Sequence, residues 1–541
     1  MKFALIIAFV VWSSTQLSAQ LQLEQIMKGP GFVGALPESP QWSVDGRYIY
    51  YTKKFPDSLQ KSYFSYDFES GQTTLVDAAT WQARWSWTPG AGRLNEIRIR
   101  DEKLECLNAQ TKQIKSYPLF TDSFWNLQLQ NKPQMVVFQQ GQSLFLFDVQ
   151  NGVVKQLVSY QKAPAPKPNQ TALAEAEFAF FESERKKQIQ STLSDEPQIK
   201  GLPFEPNAAL QLDPTARYVL IKKEVEHDSK RTEVPHFIAS DAHVYSEQSR
   251  AKVQNEEPSQ SLYLHDLKSD TLVDLDFSQL SQMGSSERGL FLHPVIFAKT
   301  KPLALMDIRS ADNKDRWIVA INLQTQSIQE LEHQHDSAWI GGPGISSWNM
   351  ETGTLGWLKD AAVIYFQSEQ SGFSHLYSMD ISTKSKMALT SGSYEVHDVQ
   401  LSKDSSAFYL STNMLHPGSR NYYKLDLKTF QLKPLLTEQG AYEVQLSPDE
   451  KQLAYRFSTS TQPWELYTCS VKLLKARIQL THSTTEAFRA YNWQKPEVLS
   501  FKASDGVSVF ARLYEPKNAV KNGAAVLFVH GAGYLQNAHH Y

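Results

Sequence analysis

Side chains with the chemistry of a catalytic or metal site are sparse in this sequence. Two cysteines, Cys106 and Cys469, are too few for a disulfide framework or a four-thiolate zinc site, and the sequence leaves open whether they form one bridge. Glu226, His227 and Asp228 are potential metal ligands, but no further group stands at a metal-binding spacing, so we interpret them as part of a solvated loop. The sequence therefore predicts no metal and no other cofactor.

A serine nucleophile on a sharp strand-to-helix turn is typically marked by Gly-x-Ser-x-Gly. This motif does not occur in the 541 residues, because Gly344-Ile-Ser346 and Gly141-Gln-Ser143 both lack the closing glycine. A nucleophile of this type is therefore not predicted within the sequence.

The composition is that of a globular chain with a sizeable core. Apolar residues make up 41%, charged residues 21% and aromatic residues 12%, which excludes a disordered chain or a collagen-like fibre. Lys and Arg number 54 against 57 Asp and Glu, so the net charge is only −3. Without a basic surface, nucleic acid is not an expected partner.

The N-terminus has the features of a secretory signal peptide. Lys2 provides the positive charge, residues 3–12 are apolar, and Ala19 is a small residue before a cut at Gln20. The alternative is an anchoring helix, but ten apolar residues are about half of the roughly 20 that span a bilayer. We predict a signal peptide over 1–19, no membrane span after its removal, and a secreted or periplasmic protein.

A strand pattern recurs along the chain and predicts its fold. In each copy an alternating aromatic or aliphatic strand ends at a short polar residue, which is followed by a polar turn and a second strand. The marked residues are Asp67, Asn108, Asp148, Asp266, Asn322, Asp380, Asp426 and Ser470. Alternation broken by Asp or Asn and a turn is typical of a hairpin.

The spacing between the marked residues predicts eight four-stranded propeller blades. Seven spacings are defined, and six lie between 40 and 58 residues, as expected for a blade, whereas Asp148 and Asp266 are 118 apart. We attribute the excess to a helical insertion over 161–200 and an extended polar loop over 224–257, whose removal leaves 44 residues. The propeller is predicted over 20–495, with its blades between about 35 and 495.

A second signal has the same phase as the first. Four segments place a turn rich in Ser, Asp, Pro or Gly before an alternating strand. They begin at Trp42, Leu212, Leu401 and Leu446. These segments predict tight turns between neighbouring strands of one blade. A β-sandwich, the simpler alternative, would not need eight such units.

Residues 496–541 differ from the repeats. Asp505-Gly506 lies between two alternating strands and predicts a hairpin. Residues 524–529 are continuously apolar, as in a strand buried on both faces of a parallel sheet, and they lead into His530-Gly-Ala-Gly533. Such a strand and turn resemble the oxyanion-hole region of the α/β-hydrolase fold. The predicted fold is thus an all-β eight-bladed β-propeller followed by the N-terminal start of an α/β-hydrolase domain over 496–541.

The order of these parts resembles the prolyl oligopeptidase family of serine peptidases, in its dipeptidyl peptidase IV-like branch. Residues 365–377 are similar to that branch's Ser-Glu-x-x-Gly-x-x-His-Leu-Tyr motif, and Thr232-Glu-Val-Pro235 also matches. The resemblance implies an extracytoplasmic peptidase that acts on short peptides, often with a Pro or Ala preference. It also implies a propeller that restricts access, a Ser-Asp-His triad on the hydrolase domain, and allows a homodimer of the full-length protein.

Several family features are missing or altered. The Ser, Asp and His of the triad are expected beyond Tyr541, so we expect a fragment that is inactive alone. The resemblance implies oxyanion donors at the backbone of Gly531 or Ala532, or at Tyr534. In place of the family's adjacent Glu pair for the substrate N-terminus stands only Glu205, so removal of dipeptides is an open question. Residues 526–529 are expected to be poorly covered and to present a free strand edge.

A different class of protein remains an alternative. A secreted propeller could bind a protein or glycan without any chemistry, but it would have no need of the hairpin and apolar strand after residue 496. An esterase on the same scaffold would share every residue discussed above.

Overall fold

The protein is built almost entirely of β-strands. The computed structural model describes residues 21–43, 45–78, 80–81, 95–100, 103–108, 113–118, 124–129, 135–148, 151–163, 198–204, 210–225, 231–239, 241–250, 259–281, 283, 289–345, 352–516, 522–531 and 537–541. The helices with described bounds are α1 (Leu23–Ile26), α2 (Pro30–Val33) and α3 (Glu486–Ala490). The predicted all-β, sheet-rich character is confirmed. No helix in the described part of the chain has the length and apolar character of a membrane span.

Sheets of three to five strands follow one another along the chain, and each is formed by strands close in sequence. Sheet 1 contains β1 (Glu38–Trp42), β2 (Tyr48–Lys53), β3 (Ser62–Asp67) and β4 (Gln72–Val76). Sheet 2 contains β5 (Asn95–Arg100), β6 (Lys103–Asn108) and β7 (Ile114–Pro118). Sheet 3 contains β8 (Phe124–Leu129), β9 (Met135–Gln140), β10 (Ser143–Asp148), β11 (Val153–Lys162) and β12 (Gln198–Leu202). Sheet 4 contains β13 (Leu210–Leu212), β14 (Tyr218–Val225), β17 (Ser259–Asp266) and β18 (Thr271–Asp274), and β15 (Arg231–His236) and β16 (Tyr245–Arg250) form a separate hairpin.

Four further sheets and a second hairpin complete the described strands. Sheet 5 contains β19 (Leu290–Leu292), β20 (Ile296–Phe297), β21 (Leu303–Ser310), β22 (Asp315–Asn322) and β23 (Ser327–His335). Sheet 6 contains β24 (Leu355–Lys359), β25 (Val363–Ser368), β26 (His375–Asp380) and β27 (Lys386–Ala388). Sheet 7 contains β28 (Val396–Leu401), β29 (Ala407–Thr412), β30 (Asn421–Asp426) and β31 (Leu432–Leu436). Sheet 8 contains β32 (Ala441–Leu446), β33 (Gln452–Thr459), β34 (Gln462–Ser470) and β35 (Ile478–Gln479), and β36 (Glu497–Lys502) pairs with β37 (Ser508–Leu513).

The repeat read from the sequence coincides with strand ends. Every one of its eight marked residues is the last residue of a strand, from Asp67 in β3 to Ser470 in β34. In seven of them the side-chain oxygen accepts a backbone N–H two or three residues further on, for example from Lys268 to Asp266 at 3.0 Å and from Ser382 to Asp380 at 2.9 Å. These bonds cap the turn in place of a backbone acceptor, as the short polar side chains predict.

The second turn signal is also confirmed. In all four segments a Ser or Asp side chain accepts the N–H of the residue five positions later, as Ser402 does from Ala407 at 3.0 Å and Asp213 from Tyr218 at 2.6 Å. The residue three positions after that Ser or Asp has a positive φ: 72° at Gly46, 59° at Ala216, 56° at Ser405 and 59° at Glu450. The same turn geometry thus joins the first two strands of four different sheets.

Apolar side chains from successive sheets form shared cores. Separate clusters join sheets 2 and 3, sheets 3 and 4, sheets 4 and 5, and sheets 5 and 6. Another cluster joins the first sheet to the last through Ile49, Tyr51, Ala454 and Leu466. The same two sheets are tied by the Trp42 indole N–H, which donates to the Gln445 carbonyl at 3.0 Å.

The chain divides into two compact units. One comprises Met1–Trp85, Ser411–Lys424 and Lys433–Tyr541, and the other comprises Ser86–Leu410 and Leu425–Leu432. The first contains sheets 1 and 8 and the hairpin β36–β37. The second contains sheets 2 to 6 and the hairpin β15–β16. Residues of sheet 7 belong to both.

The two segments interpreted as insertions differ from their predicted structure at the described positions. The ends of the 161–200 segment are strands, because β11 runs to Lys162 and pairs in parallel with β12 from Gln198. Val158, Tyr160 and Leu202 bury their apolar side chains in one core, which favours this pairing over a helix. The residues that carried the helical pattern lie outside the described part of the chain.

The 224–257 segment is a β-hairpin rather than an extended loop at its described residues. Thr232 pairs with Ser249, and His236 pairs with Tyr245, on which its ring stacks at 4.7 Å between centroids. Almost the whole hairpin is exposed, so its strands have no apolar face. The sequence therefore lacks the alternation of apolar and polar residues from which strands are predicted.

The C-terminal region supports only part of its sequence-based interpretation. The hairpin is confirmed, with Val507 N–H donating to Asp505 Oδ1 at 2.9 Å across the turn. Residues 524–529 pair with no strand of the described chain, and Val526, Leu527, Phe528 and Val529 are 77–100% exposed. Their poor coverage matches expectation, whereas the expected strand is absent because no neighbour among the described residues supplies its hydrogen bonds. The described residues therefore do not support an α/β-hydrolase sheet.

The core between sheets 1 and 8 predicts a contrast between two leucines. Leu466 is fully buried in this core, and Leu473 is 67% exposed. We expect Leu466→Ala to lower the free energy of unfolding by about 2–5 kcal/mol, because it removes buried methyl groups and leaves a cavity. The matched control Leu473→Ala should change it by less than about 0.5 kcal/mol. Urea unfolding followed by tryptophan fluorescence checks both, and equal effects would contradict this packing.

Candidate functional site

Sheet 5 carries charged and histidine side chains on both of its faces. The strand register places Arg316 of β22 opposite Arg309 of β21, and Asp315 of β22 opposite His335 of β23. Successive residues of a strand point to opposite faces, so the arginines and the Asp–His pair lie on different sides of the sheet. Two polar groups thus lie on opposite faces of sheet 5, and each contains one of two successive residues of β22.

The first group is the arginine cluster, formed by Asp307, Arg309 and Arg316, all of which are at most 1% exposed. Arg316 Nε donates to Asp307 Oδ2 at 3.0 Å, and its Nη1 donates to the Gln367 carbonyl at 2.8 Å. Gly353 N–H also donates to Asp307 Oδ2 at 3.1 Å. A Cβ at Gly353 would lie 2.5 Å from Arg316 Nη2, so only glycine fits there.

Arg309 is much less well paired than Arg316. Its Nε lies 3.6 Å from Asp307 Oδ1, and its guanidinium N–H groups make no hydrogen bond within the described structure. Burial lowers the pKa of Arg309 to about 10, which still leaves it protonated at neutral pH. Burial opposes ionisation of Asp307 as well, but the two guanidinium groups outweigh it and hold the pKa of Asp307 below its ordinary value. The cluster therefore carries one net positive charge inside the protein.

Gln367 connects the arginine cluster to the Ser-Glu-x-x-Gly motif. Its side-chain Nε2 donates to the Val396 carbonyl at 2.7 Å and to Ser374 Oγ at 3.0 Å. Its Oε1 accepts from Thr354 Oγ1 at 2.5 Å. The amide is buried and uses both its donor and acceptor atoms, so it links the motif to the segments around Thr354 and Val396.

His375, the histidine of the motif, has a structural role. Its Nδ1 lies 3.0 Å from Thr390 Oγ1, its Nε2 lies 2.9 Å from the Gly392 carbonyl, and its ring meets Tyr394 edge to face. Both ring nitrogens are thus engaged in a 1%-exposed side chain. The imidazole holds the 389–396 segment and is not available to a substrate.

Glu369, the glutamate of the motif, belongs to a group of carboxylates. The residue is exposed overall, but its carboxylate packs against Gly342, where a Cβ would lie 2.1 Å from Oε1. Partial burial of the carboxylate removes water from it and raises the pKa of Glu369 to about 7. Repulsion from Glu395 and Asp336 adds to the effect. This carboxyl group is therefore partly protonated at neutral pH.

The second group on sheet 5 is the histidine cluster, formed by Asp315, His333 and His335. His333 Nε2 and His335 Nδ1 lie 2.7 and 2.8 Å from the same oxygen, Asp315 Oδ1. One ligand atom from each residue lies within 4.8 Å of the others, as in sites that hold a metal ion. The sequence predicts no metal site here, because Asp315 and the histidines are 18 and 20 residues apart and meet only through the strand register.

A Tyr–His–Asp chain also occurs but lacks access. Tyr160 OH lies 2.9 Å from His265 Nδ1, and His265 Nε2 lies 3.0 Å from Asp270 Oδ1. Burial raises the pKa of Tyr160 well above its ordinary value, and the side chain is 3% exposed. The phenol is therefore a neutral, enclosed hydrogen-bonding group rather than a nucleophile.

The part of the chain that contains sheets 5 and 6 is similar to a known protein family. Residues 222–464, which run from β14 to β34 and include the motif and both polar groups, match the family model of the dipeptidyl peptidase IV (DPP IV) N-terminal region. The resemblance to the dipeptidyl peptidase IV-like branch is thereby confirmed.

Solved structures agree with this assignment. The crystal structure of dipeptidyl peptidase 4 from Porphyromonas gingivalis matches with a TM-score of 0.56 and 13% identity, over 92% of this chain and 67% of that one. A Bacteroides ovatus protein assigned as a dipeptidyl aminopeptidase IV matches with a TM-score of 0.52 and 12% identity, over 90% of this chain and 66% of that one. At these identities the likeness shows the fold. The chain spans about two thirds of the length of both structures.

Of the residues predicted from sequence to bind substrate, only Gly531 belongs to the described part of the chain. Glu205, Ala532 and Tyr534 fall outside the described residues. Gly531 is described and exposed, and its carbonyl lies 2.6 Å from His530 Nδ1. Their roles stay predictions.

Both cysteines are free and buried, which answers the question that the sequence left open. Burial raises the pKa of Cys106 to about 12 and that of Cys469 to about 11. Both are therefore neutral thiols at physiological pH and not candidate nucleophiles.

The two buried arginines of the arginine cluster, Arg309 and Arg316, should differ in how much their substitution changes the free energy of unfolding. We expect Arg316→Met to lower the free energy of unfolding by about 3–5 kcal/mol, because it leaves Asp307 and the Gln367 carbonyl buried without their main donor. Arg309→Met should cost less than about 1 kcal/mol or stabilise the protein, because it removes a buried cation without hydrogen bonds. Calorimetric unfolding of both variants checks this. Equal losses would show that Arg309 is bound as firmly as Arg316.

Glu369 predicts a pH-dependent stability. Its carboxyl group has a pKa of about 7 in the folded protein against an ordinary 4.5, so the folded state holds a proton that the unfolded state releases. Stability should therefore fall as the pH rises from about 4.5 through 7. Glu369→Gln should match the wild type below pH 4.5 and become more stable than it above pH 7. Thermal unfolding midpoints measured from about pH 4 to about pH 8 test this, with Glu497→Gln on the exposed strand β36 as control; parallel profiles of the wild type and the Glu369→Gln variant would contradict it.

Proposed function

We propose that this chain is the propeller-bearing part of a secreted serine peptidase of the dipeptidyl peptidase IV type, which hydrolyses short peptides. The observation that carries this proposal is the match of residues 222–464 to the DPP IV N-terminal region, with the Ser-Glu-x-x-Gly motif inside it. The signal-peptide features of residues 1–19 support export, with cleavage after Ala19.

For the domain itself we propose an eight-bladed propeller between about residues 35 and 495. Eight marked residues end eight strands in eight successive sheets, and apolar cores join sheets 2 to 6 in succession. The core shared by sheets 1 and 8 is what a ring closed by packing requires. Such a domain would restrict access of large substrates to the chemistry.

For the catalytic step we propose that the serine comes from residues outside this sequence, which contains no Gly-x-Ser-x-Gly. Residues 496–541 would begin the hydrolase domain, with backbone N–H groups of Gly531 or Ala532, or the Tyr534 hydroxyl, as oxyanion donors. The hairpin β36–β37 supports this assignment, because it is the first element expected after the propeller. Glu205 is the candidate for the substrate N-terminus.

The chain by itself is expected to lack peptidase activity, because binding without a nucleophile leaves little acceleration. Purified protein assayed on chromogenic Ala-Pro and Gly-Pro amides should match buffer. Turnover that survives repurification and responds to a serine-directed inhibitor would contradict this.

The wider proposal is tested by the coding sequence that follows Tyr541. We expect Gly-x-Ser-x-Gly within about 100 residues, and an extended protein that cleaves the same amides and loses this activity when that serine is replaced by alanine. An extended protein without the motif and without activity would favour a binding propeller instead.

A further inference from the structure

We propose that the histidine cluster, Asp315, His333 and His335, binds a divalent transition-metal ion of the zinc type. His333 and His335 alternate along β23 and therefore point to the same face of sheet 5. Asp315 begins β22 directly opposite His335. Two imidazole nitrogens and one carboxylate oxygen converge at 2.7 and 2.8 Å, and this is a ligand set that suits zinc.

The ligands are held in position before any ion arrives. The His333 ring stacks on Trp317 with 5.5 Å between centroids and 13° between planes. Trp317 is itself buried, and its indole N–H donates to the Ser281 carbonyl at 2.9 Å. Asp315 N–H donates to Ser310 Oγ at 2.9 Å at the start of the strand. A site with ligands fixed in this way loses little conformational entropy on binding.

The cluster is open to solvent on one side. The Asp315 side chain is 2% exposed and the His333 side chain 14%, whereas that of His335 is 43% exposed. An ion can therefore enter past His335 without unfolding the sheet. Three protein ligands would leave a fourth tetrahedral position for water or for a donor from another molecule.

Metal binding requires each imidazole to change its tautomer, but no bond between heavy atoms forms or breaks within the protein. Each nitrogen that faces Asp315 must present a lone pair, so the proton it carries moves to the other ring nitrogen by exchange with solvent. The carboxylate then contacts the ion instead of accepting two hydrogen bonds. The competing possibility is that the three residues form only this hydrogen-bonded group.

Cobalt and zinc are suitable probes. The purified chain, without a polyhistidine tag and stripped with chelator, should bind one Co²⁺ and develop the visible absorption of a four-coordinate ion, and Zn²⁺ should displace it. Zn²⁺ should also raise the thermal unfolding midpoint, because a ligand that binds the folded state stabilises it. His335→Gln should weaken Zn²⁺ binding by about 10-fold or more and abolish the cobalt spectrum, and Asp315→Asn should do the same.

The matched control is His236→Gln, which removes a partly exposed histidine of the hairpin β15–β16, in the same compact unit, where it pairs with Glu247 at 3.1 Å. This variant should bind Zn²⁺ within about 2-fold of the wild type, because His236 lies outside the proposed ligand set. His335 is exposed at the end of an edge strand, so its variant is expected to fold, and circular dichroism verifies this. No saturable binding by the wild type, or equal binding by His335→Gln and the wild type, would overturn the metal site and leave a hydrogen-bonded group only.

Discussion

The side-chain cap that ends one strand in seven of the eight sheets is the constraint on which the rest of the structure depends. A carboxylate, amide or hydroxyl oxygen accepts the backbone N–H two or three residues later, which fixes where the strand ends and where its partner begins. A slip of one residue would exchange the two faces of the strand. The cap therefore decides which side chains enter the cores between the sheets.

Sheet 5 shows what this fixed register makes possible. Asn322 caps the far end of β22, and the same strand begins with Asp315 and Arg316. With the register set, Arg316 meets Asp307 on one face while Asp315 meets two histidines on the other. Removing one partner of a buried ion pair is costly, so the pairing of Arg316 with Asp307 depends on the register that the turn at Asn322 helps to fix.

The sequence predicts the elements whose cause is local. The capped strand ends, the tight turns at Ser402 and Asp213, and the hairpin at Asp505 all arise from residues within a few positions of one another. The hairpin β15–β16 escapes prediction because its strands have no apolar face. The histidine cluster escapes it because the cluster depends on pairing between strands, which spacing along one strand does not reveal.

The buried residues of the family motif differ from the exposed residues that can contact another molecule. The fold is shared with structures that are only 12–13% identical, so most of the particular side chains of this chain are not required for it. The motif residues Gln367 and His375 are buried and fully bonded, and they join neighbouring segments instead of facing solvent. Their contacts are therefore structural, whereas contact with another molecule needs exposed groups that the fold only supports. His335, which is half exposed beside a fixed carboxylate, is of this second kind, and the family pattern alone would not draw attention to it.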